Sequence, residues 1–441
     1  MKRWHLLATR IFCSAWCAAA LLAVLTSARA GEKSEGGARW PLVYADDFES
    51  GSIEDWEPTD PKAWRIGNDI GNHFYSLFQA SQYKPPVRSP QNRSLLKSVV
   101  VGSFRMDVRL QSTGRDYPHR DLCLFFGYQD PTHFYYVHLG KKTDDHCNQV
   151  FIVDGAPRKK ISLTTTEGTP WGKGWHYARI VRDVKTGTIQ VFFDEMDEPA
   201  MTAKDTTFTW GQVGVGSFDD TGNFDEIHLY GEKLKRGENN IPPEGFVALF
   251  NGRDLTGWKG LVGNPKTRAK MSEEELAKAQ KKADEDMRKH WRVENGVLIF
   301  DGKGHSLCTV KDYKDFELYV DWKIEPKGDS GIYLRGSPQV QIWDAQARGI
   351  GSGGLFNNKK NPSKPLVMAD NPPGEWNRFF IRMVGEKVTV YLNGKLVVDN
   401  VTLENYWERD KPIYRTGQIE LQSHNTPLYF RNIFIRELPS Q

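Results

Sequence analysis

Apolar and polar residues alternate one for one along residues 315–324. Phe316, Leu318, Val320, Trp322 and Ile324 fall on one side, and Glu317, Tyr319, Asp321 and Lys323 on the other. A period of two predicts a half-buried β-strand. Within residues 388–398, Asn393-Gly394 stands between two apolar runs and predicts a hairpin, because both turn residues tolerate positive φ. Most of the chain reads this way, as short strands punctuated by Gly, Pro, Asn and Asp. One stretch differs. In residues 272–290, Ser272 and Glu275 form a capping-box pattern, and Leu276, Ala279, Ala283 and Met287 recur at helical spacing. It predicts a charged helical insertion beside a sheet.

The pattern also repeats. Asp46-Asp47-Phe48-Glu49 leading to Trp56 echoes Leu249-Phe250-Asn251-Gly252 leading to Trp258, and Ala63-Trp64-Arg65-Ile66 echoes His290-Trp291-Arg292-Val293. Gly174-Trp175-His176 echoes Gly374-Glu375-Trp376-Asn377, and Gly211-Gln212-Val213 echoes Gly417-Gln418-Ile419. A spacing of roughly 200 residues is a duplicated domain, since solenoid repeats are far shorter. Many strands without alternating helices predict an all-β fold of two tandem jelly-roll β-sandwiches, with a short helical insertion in the second. The expected divisions are a leader at 1–30, sandwiches at 40–231 and 245–438, and a polar linker at 232–244 containing Pro242-Pro243.

The leader changes the reading of charge. A basic start (Lys2, Arg3, Arg10), a short apolar run and Ala28-Arg29-Ala30 form a signal-peptide pattern with cleavage before Gly31. Its apolar run falls short of the roughly 20 residues a membrane span needs, so no stable span is expected. Export to a periplasmic or secreted location follows. Residues 1–30 hold four of the 59 Lys and Arg and no acid, leaving 55 basic against 56 acidic residues. Without a basic surplus, nucleic acid is not an expected partner. Cys123, Cys147 and Cys308 remain; an oxidising compartment would allow Cys123 and Cys147 to pair, with Cys308 free and buried.

The two copies differ most at their last long strand. In the second, Gln418, Glu420, Gln422 and His424 share one face while Ile419 and Leu421 point inward; the first copy has Gln212, Gly214, Gly216 and Phe218 there. A second polar group lies in residues 329–344. Tyr333 and Arg335 share a face of one strand, and Gln339, Gln341 and Trp343 share a face of the next. Arg335 can hold a carbonyl or hydroxyl oxygen through several donors. Trp343 suits either sugar stacking or core packing. The glycine-rich residues 349–354, with Asn357 and Asn358, lack the Lys-Ser/Thr of a phosphate loop and read as a flexible rim over the groove.

Over residues 245–438 the second copy resembles the 3-keto-glycoside lyase/hydratase family, also described as 3-keto-disaccharide hydrolases. The resemblance rests on Leu249-Phe250-Asn251-Gly252-Arg253-Asp254-Leu255-Thr256-Gly257-Trp258, Ser330-Gly331-Ile332-Tyr333-Leu334-Arg335 and Val340-Gln341-Ile342-Trp343-Asp344. Pro373-Gly374-Glu375-Trp376-Asn377, Glu420-Leu421-Gln422-Ser423-His424-Asn425 and Phe430-Arg431-Asn432-Ile433 complete it, in order. It implies a concanavalin-like sandwich that acts on a glycoside or oligosaccharide oxidised at C3, removing the C2 proton and eliminating the C1 substituent. Rehydration would make the reaction a net hydrolysis. On that reading His424 is the acid/base, and Glu375 or Asp344 is the catalytic carboxylate. Arg335, Tyr333, Gln339, Gln341, Trp343, Glu420 and Gln422 line the substrate site. The chain departs from the family at Gln339, where many relatives carry Glu. That departure leaves a non-catalytic glycan-binding protein as the alternative. An ordinary glycosidase ranks last, because the Glu-x-Asp-x-Glu strand motif of sandwich glycosidases is absent.

The first copy resembles laminin-G/concanavalin-like modules in general, which implies glycan binding or packing against its neighbour. Asp47 and Asp225 lie near its first and last strands and are candidate ligands for a structural Ca²⁺. A divalent cation, either there or as a catalytic metal in the second copy, is the one cofactor the sequence leaves open. Oligomeric state is not legible.

Overall fold

The computed structural model describes residues 40–439; the leader pattern lies outside them. Four antiparallel sheets form two sandwiches, of nine and seven strands in the first and eight and five in the second. Among the described residues no helix is long and apolar enough to cross a membrane.

The strand order repeats as the sequence echo predicts. In the larger sheet of the second sandwich the order is Trp291–Glu294, Val297–Phe300, Leu428–Glu437, Phe316–Ile324, Asn377–Val384, Lys387–Leu392, Lys395–Thr402. The first sandwich places Trp64–Asp69, Asn72–Leu77, Gly222–Lys233, Val101–Ser112, His176–Arg182, Thr188–Phe193 and Met201–Lys204 in the same succession. The smaller sheets correspond as well. Trp258–Gly260, Leu307–Thr309, Glu420–Leu421, Asp329–Leu334 and Ser337–Trp343 match Trp56–Pro58, Asn92–Leu96, Gln212–Ser217, Asp121–Asp130 and His133–Gly140. The repeated Trp has the same task twice. Trp56 donates its indole N–H to Asp46 at 3.0 Å and Trp258 donates to the Leu249 carbonyl at 2.7 Å, each with its ring buried. A buried indole needs such a partner.

Each sandwich has its own core. Phe316, Leu318, Val320, Trp322 and Ile324 all point into the second one, as their alternation requires. The opposite face of that strand is not open, however: Glu317 and Asp321 are buried too. Asp321 takes Arg378 at 2.5 Å and the Asn432 amide at 2.7 Å, and Glu317 takes Arg436 at 2.9 Å. The segment between the sandwiches covers this face. Asn240 and Asn432 exchange backbone N–H to side-chain oxygen bonds, both 2.7 Å, and Arg378 reaches the Gly237 carbonyl at 2.8 Å. The expected linker is therefore packed, with Ile241 buried. The strand before it runs on to Lys233. Arg253 adds a second tie, donating to the Thr207 carbonyl at 2.9 Å with its guanidinium 5.1 Å over Phe208.

Local signals hold where they are strongest. Glu273–His290 is a helix with both capping-box bonds of Ser272 and Glu275 formed. Asn393 and Gly394 both have positive φ, 50° and 79°, between the paired strands, as a tight hairpin turn demands. The cysteine expectation holds for Cys308, free and buried, and not for the pair: Cys123 and Cys147 are free and buried too. The two calcium candidates differ in their surroundings. Asp47 is exposed and accepts the Glu49 N–H at 3.2 Å. Asp225 is buried and already satisfied by Asn72 at 3.1 Å, Arg109 at 3.3 Å and the Glu226 N–H at 2.8 Å.

Candidate active site on the second sandwich

The outward face of the five-stranded sheet carries the polar residues. Its inward face is set by Leu307, Leu421 and Ile332, which are register partners and fully buried. One residue along each strand the pleat turns outward, and Lys259, Cys308, Glu420 and Tyr333 form a row across four strands. The next row holds Gln422, Gly331 and Gln341, since the Gln422 N–H meets the Gly331 carbonyl at 2.9 Å and Gly331 pairs with Gln341. Gly331 leaves room for a neighbour: a Cβ there would lie 2.8 Å from Cδ of Gln339.

Glu420 is the buried carboxyl of this face. It is 2 % exposed, and Oε1 makes no hydrogen bond. Its nearest cation is Arg268, at 3.9 Å. Burial pushes the carboxyl up to about 7, with Arg268 opposing. Arg268 ends the short helical turn Pro265–Arg268, just before the helical insertion. The insertion itself docks on the edge strand Trp258–Gly260, where Gln280 donates to the Gly260 carbonyl at 2.8 Å and Asp284 accepts the Gly260 N–H at 2.9 Å. Tyr333 keeps its proton well above the ordinary phenol range, through burial first and then through Glu420, Tyr406 and Asp329.

The glutamines form a relay. Gln339 donates to Gln341, whose amide donates to Asp329 at 2.9 Å and to the Ser330 and Ile342 carbonyls at 3.0 Å each. Asp329 also takes Arg348 at 3.2 Å. Asp329 is a half-buried second carboxylate on this face that pattern reading quoted but did not assign. Tyr406 was missed altogether. It is 38 % exposed, its ring is edge-on to Trp407, and Arg409 lies 4.7 Å over it. No strand pattern surrounds it, so nothing in the sequence flagged it.

Four expectations are corrected. Arg335 does not face the groove: it has φ +54° and is buried, donating to Asp315 at 2.8 Å and to the Gly385 carbonyl at 2.9 Å. Leaving the strand at positive φ turns its side chain into the interior. Asp344 caps the Ala345–Arg348 turn, accepting the Ala347 and Lys327 N–H groups at 3.0 and 2.8 Å, which hold its carboxyl below the usual range. Glu375 sits in an exposed turn after Pro372, and its carboxylate joins none of the groove contacts. Residues 349–354 are no free rim. Gly353 and Gly354 pair with Gln341 at 2.7 and 3.0 Å, extending the sheet edge, and residues 351–354 are buried.

Trp343 lies beneath that edge, 7 % exposed, with its indole N–H on the Ile350 carbonyl at 2.8 Å and its ring edge-on to Phe356. It is a wall rather than a stacking platform. It also borders a cleft of about 80 Å³ with Trp322, Met368, Asp370 and Pro372. His424 is exposed beyond the paired residues Glu420–Leu421, and Gln422 is half-buried with Oε1 unpartnered. Among the described residues, the clusters that bring three His, Cys, Asp or Glu ligand atoms together lie in the first sandwich, not in this groove.

The corresponding face of the first sandwich is filled. Phe125, Phe134, Tyr136 and Phe151 occupy it, and Arg158 spans Phe151 and Phe218 at 4.6 and 4.3 Å. In the second copy the same face is polar and carries the buried carboxyl of Glu420.

The class of protein defined by this fold and site is a duplicated jelly-roll sandwich with one polar, carboxylate-bearing groove. Residues 245–436, within the second sandwich, match the family model described as the 3-keto-alpha-glucoside-1,2-lyase-like domain. The chain is 23% identical over 289 residues to a 3-keto-disaccharide hydrolase of Bacteroides thetaiotaomicron, covering 52% of this chain and 92% of that protein. A crystal structure of a candidate glycosyl hydrolase from Parabacteroides distasonis shares 26% identity at a TM-score of 0.34, covering 45% of this chain and 99% of that one. A second from the same organism shares 28% identity at a TM-score of 0.34, covering 45% and 85%.

Proposed function

We propose that this is an exported carbohydrate-active enzyme whose second sandwich cleaves 3-keto-glycosides by elimination. The observation that carries the reading is Glu420, a buried carboxyl with a free oxygen and a pKa near neutrality, at the centre of the groove; the family match supplies the substrate class. A ketone at C3 acidifies the C2–H bond. The Glu420 carboxylate takes that proton, and the C2 electron pair is delocalised onto the ketone oxygen as an enolate. Arg268 and Lys259 are the cations on that side of the groove, suited to the developing charge. Collapse of the enolate forms the C1–C2 double bond and expels the C1 oxygen, which takes a proton. Tyr333, held protonated, is the donor for that step. Water adding across the new double bond gives the net hydrolysis. His424, exposed at the groove's end, is assigned no proton transfer. The filled face of the first sandwich gives that copy a packing role.

The test is release of an aryl alcohol from an aryl 3-keto-glucoside and from its unoxidised parent, with and without divalent metal. Release from the keto form alone is expected. Release from the parent would point to a conventional glycosidase. No release from either, with retained sugar binding, would make the protein a glycan-binding module and Gln339→Glu the variant to examine. Export is tested separately: the N-terminus of the protein recovered outside the cytoplasm should begin at Gly31.

A further inference from the structure

Asp121, Cys123 and His138 bring ligand atoms within 4.8 Å of one another on the outward face of the first sandwich's smaller sheet. Register explains the meeting. Cys123 stands opposite His138 and Asp121 opposite Gly140, so the four positions share one face. Gly140 has no side chain, and the Cys147 thiol fills its place: a Cβ at Gly140 would lie 2.0 Å from Cys147 Sγ. Cys147 Sγ is thereby brought 4.0 Å from His138 Nε2. Asp121 Oδ2 is 3.3 Å from Cys123 Sγ and 3.5 Å from His138 Nε2. All four donors are at most 4 % exposed.

Asp121 accepts the Phe218 N–H at 2.9 Å and the Ser217 hydroxyl at 3.3 Å, whereas the contacts of the thiols and the imidazole are poor as hydrogen bonds. As edges of a coordination tetrahedron the two contacts of Asp121 fit, and Cys147 joins the other three after a small inward shift of its thiol. Metal bonds of roughly 2.0–2.3 Å place neighbouring ligand atoms roughly 3.3–3.8 Å apart. Two thiols, an imidazole and a carboxylate also form a donor set that zinc prefers.

We propose that Asp121, Cys123, His138 and Cys147 bind one zinc(II) ion as a closed structural site. Binding releases both thiol protons to solvent. Two thiolates and one carboxylate around a dication leave one net negative charge, and Arg158 lies alongside to balance it. Its Nη1 is 2.7 Å from the Tyr136 hydroxyl and 3.3 Å from His138 Nδ1. With Nε2 on the metal, Nδ1 carries the ring proton, and Arg158 keeps its bond to Tyr136 alone. The ion joins two neighbouring strands to the bend at Cys147, independently of the groove in the second sandwich.

The test uses the full mature chain, purified under reducing conditions, stripped with chelator and reloaded with zinc or cobalt(II). One equivalent of zinc per chain is expected by elemental mass spectrometry. The cobalt form should show intense visible d–d bands of a tetrahedral site and near-ultraviolet thiolate charge transfer. Cys123→Ser and His138→Gln, checked for folding by circular dichroism, should lose the charge transfer in part and the stoichiometric zinc. Cys308→Ser should keep both. Absence of thiolate bands in the wild-type cobalt form would overturn the proposal without recourse to any variant. So would bands that vanish in Cys308→Ser, or a Cys123–Cys147 disulfide in the protein as isolated.

Discussion

Glu420→Gln is expected to lower keto-glycoside cleavage by about 10²–10⁴-fold, the usual loss on removing a general base, while making the protein more stable above neutral pH. The sign follows from linkage. The folded carboxyl titrates at about 7 against an ordinary 4.5, so folding favours its protonated form. Below the ordinary value both states hold the proton and the group costs nothing. As pH rises through that value and past 7, the unfolded chain ionises freely while the fold must accommodate a buried charge. The full penalty is about 3 kcal/mol. A neutral glutamine avoids it. Urea denaturation should show the variant about 2–3 kcal/mol more stable at pH 8 and close to wild type at pH 4. Wild-type turnover should rise with pH through about 7. Equal stability at both pH values, or a turnover profile flat across neutrality, would remove Glu420 from the role of base.

Arg335→Ala is expected to cost about 3–5 kcal/mol of stability, the range for stripping one partner from a buried ion pair. The pair lies in the interior, with side chains 3 % and 6 % exposed. Its loss would leave Asp315 with the Gly385 N–H but no counter-charge. Denaturation and steady-state kinetics together make the measurement decisive. A large stability loss with KM unchanged in the surviving folded protein matches an interior strut. A KM raised tenfold or more at unchanged stability would return Arg335 to the groove, where strand alternation alone had put it.

That residue shows where local pattern stops being informative. Alternation placed Phe316 to Ile324 correctly, because it depends on spacing along one strand, and the motif echo around Trp56 and Trp258 marked the duplication. Alternation also put Glu420, Tyr333, Gln339 and Gln341 on a common outward face. Arg335 departs from the rule because the chain turns at positive φ there, a change with no signature in residue type beyond the neighbouring Gly336. Residues 349–354 misled for another reason: the chain just past Trp343 folds straight back along the sheet edge, where Ile350 and Phe356 cover the indole. Asp344 and Glu375 carried the right chemistry, but a cap and an exposed turn claim them. The choice of Glu420 over His424 rests on burial, and burial comes from the helical insertion and the sheet together.

In both sandwiches the strand at the middle of the larger sheet is the last one in sequence. Leu428–Glu437 hydrogen-bonds to Val297–Phe300 on one side and Phe316–Ile324 on the other, as Gly222–Lys233 does between Asn72–Leu77 and Val101–Ser112. A nascent chain that has emerged only as far as Thr426 therefore has two half-sheets with no strand to join them. Loop-closure entropy must be met over more than a hundred residues before the pairing returns anything. The first sandwich can close while the second is still being synthesised. The second must wait for its final ten residues, so a nonsense codon just upstream of them would spare one half of the molecule and leave the other, with its groove, unassembled.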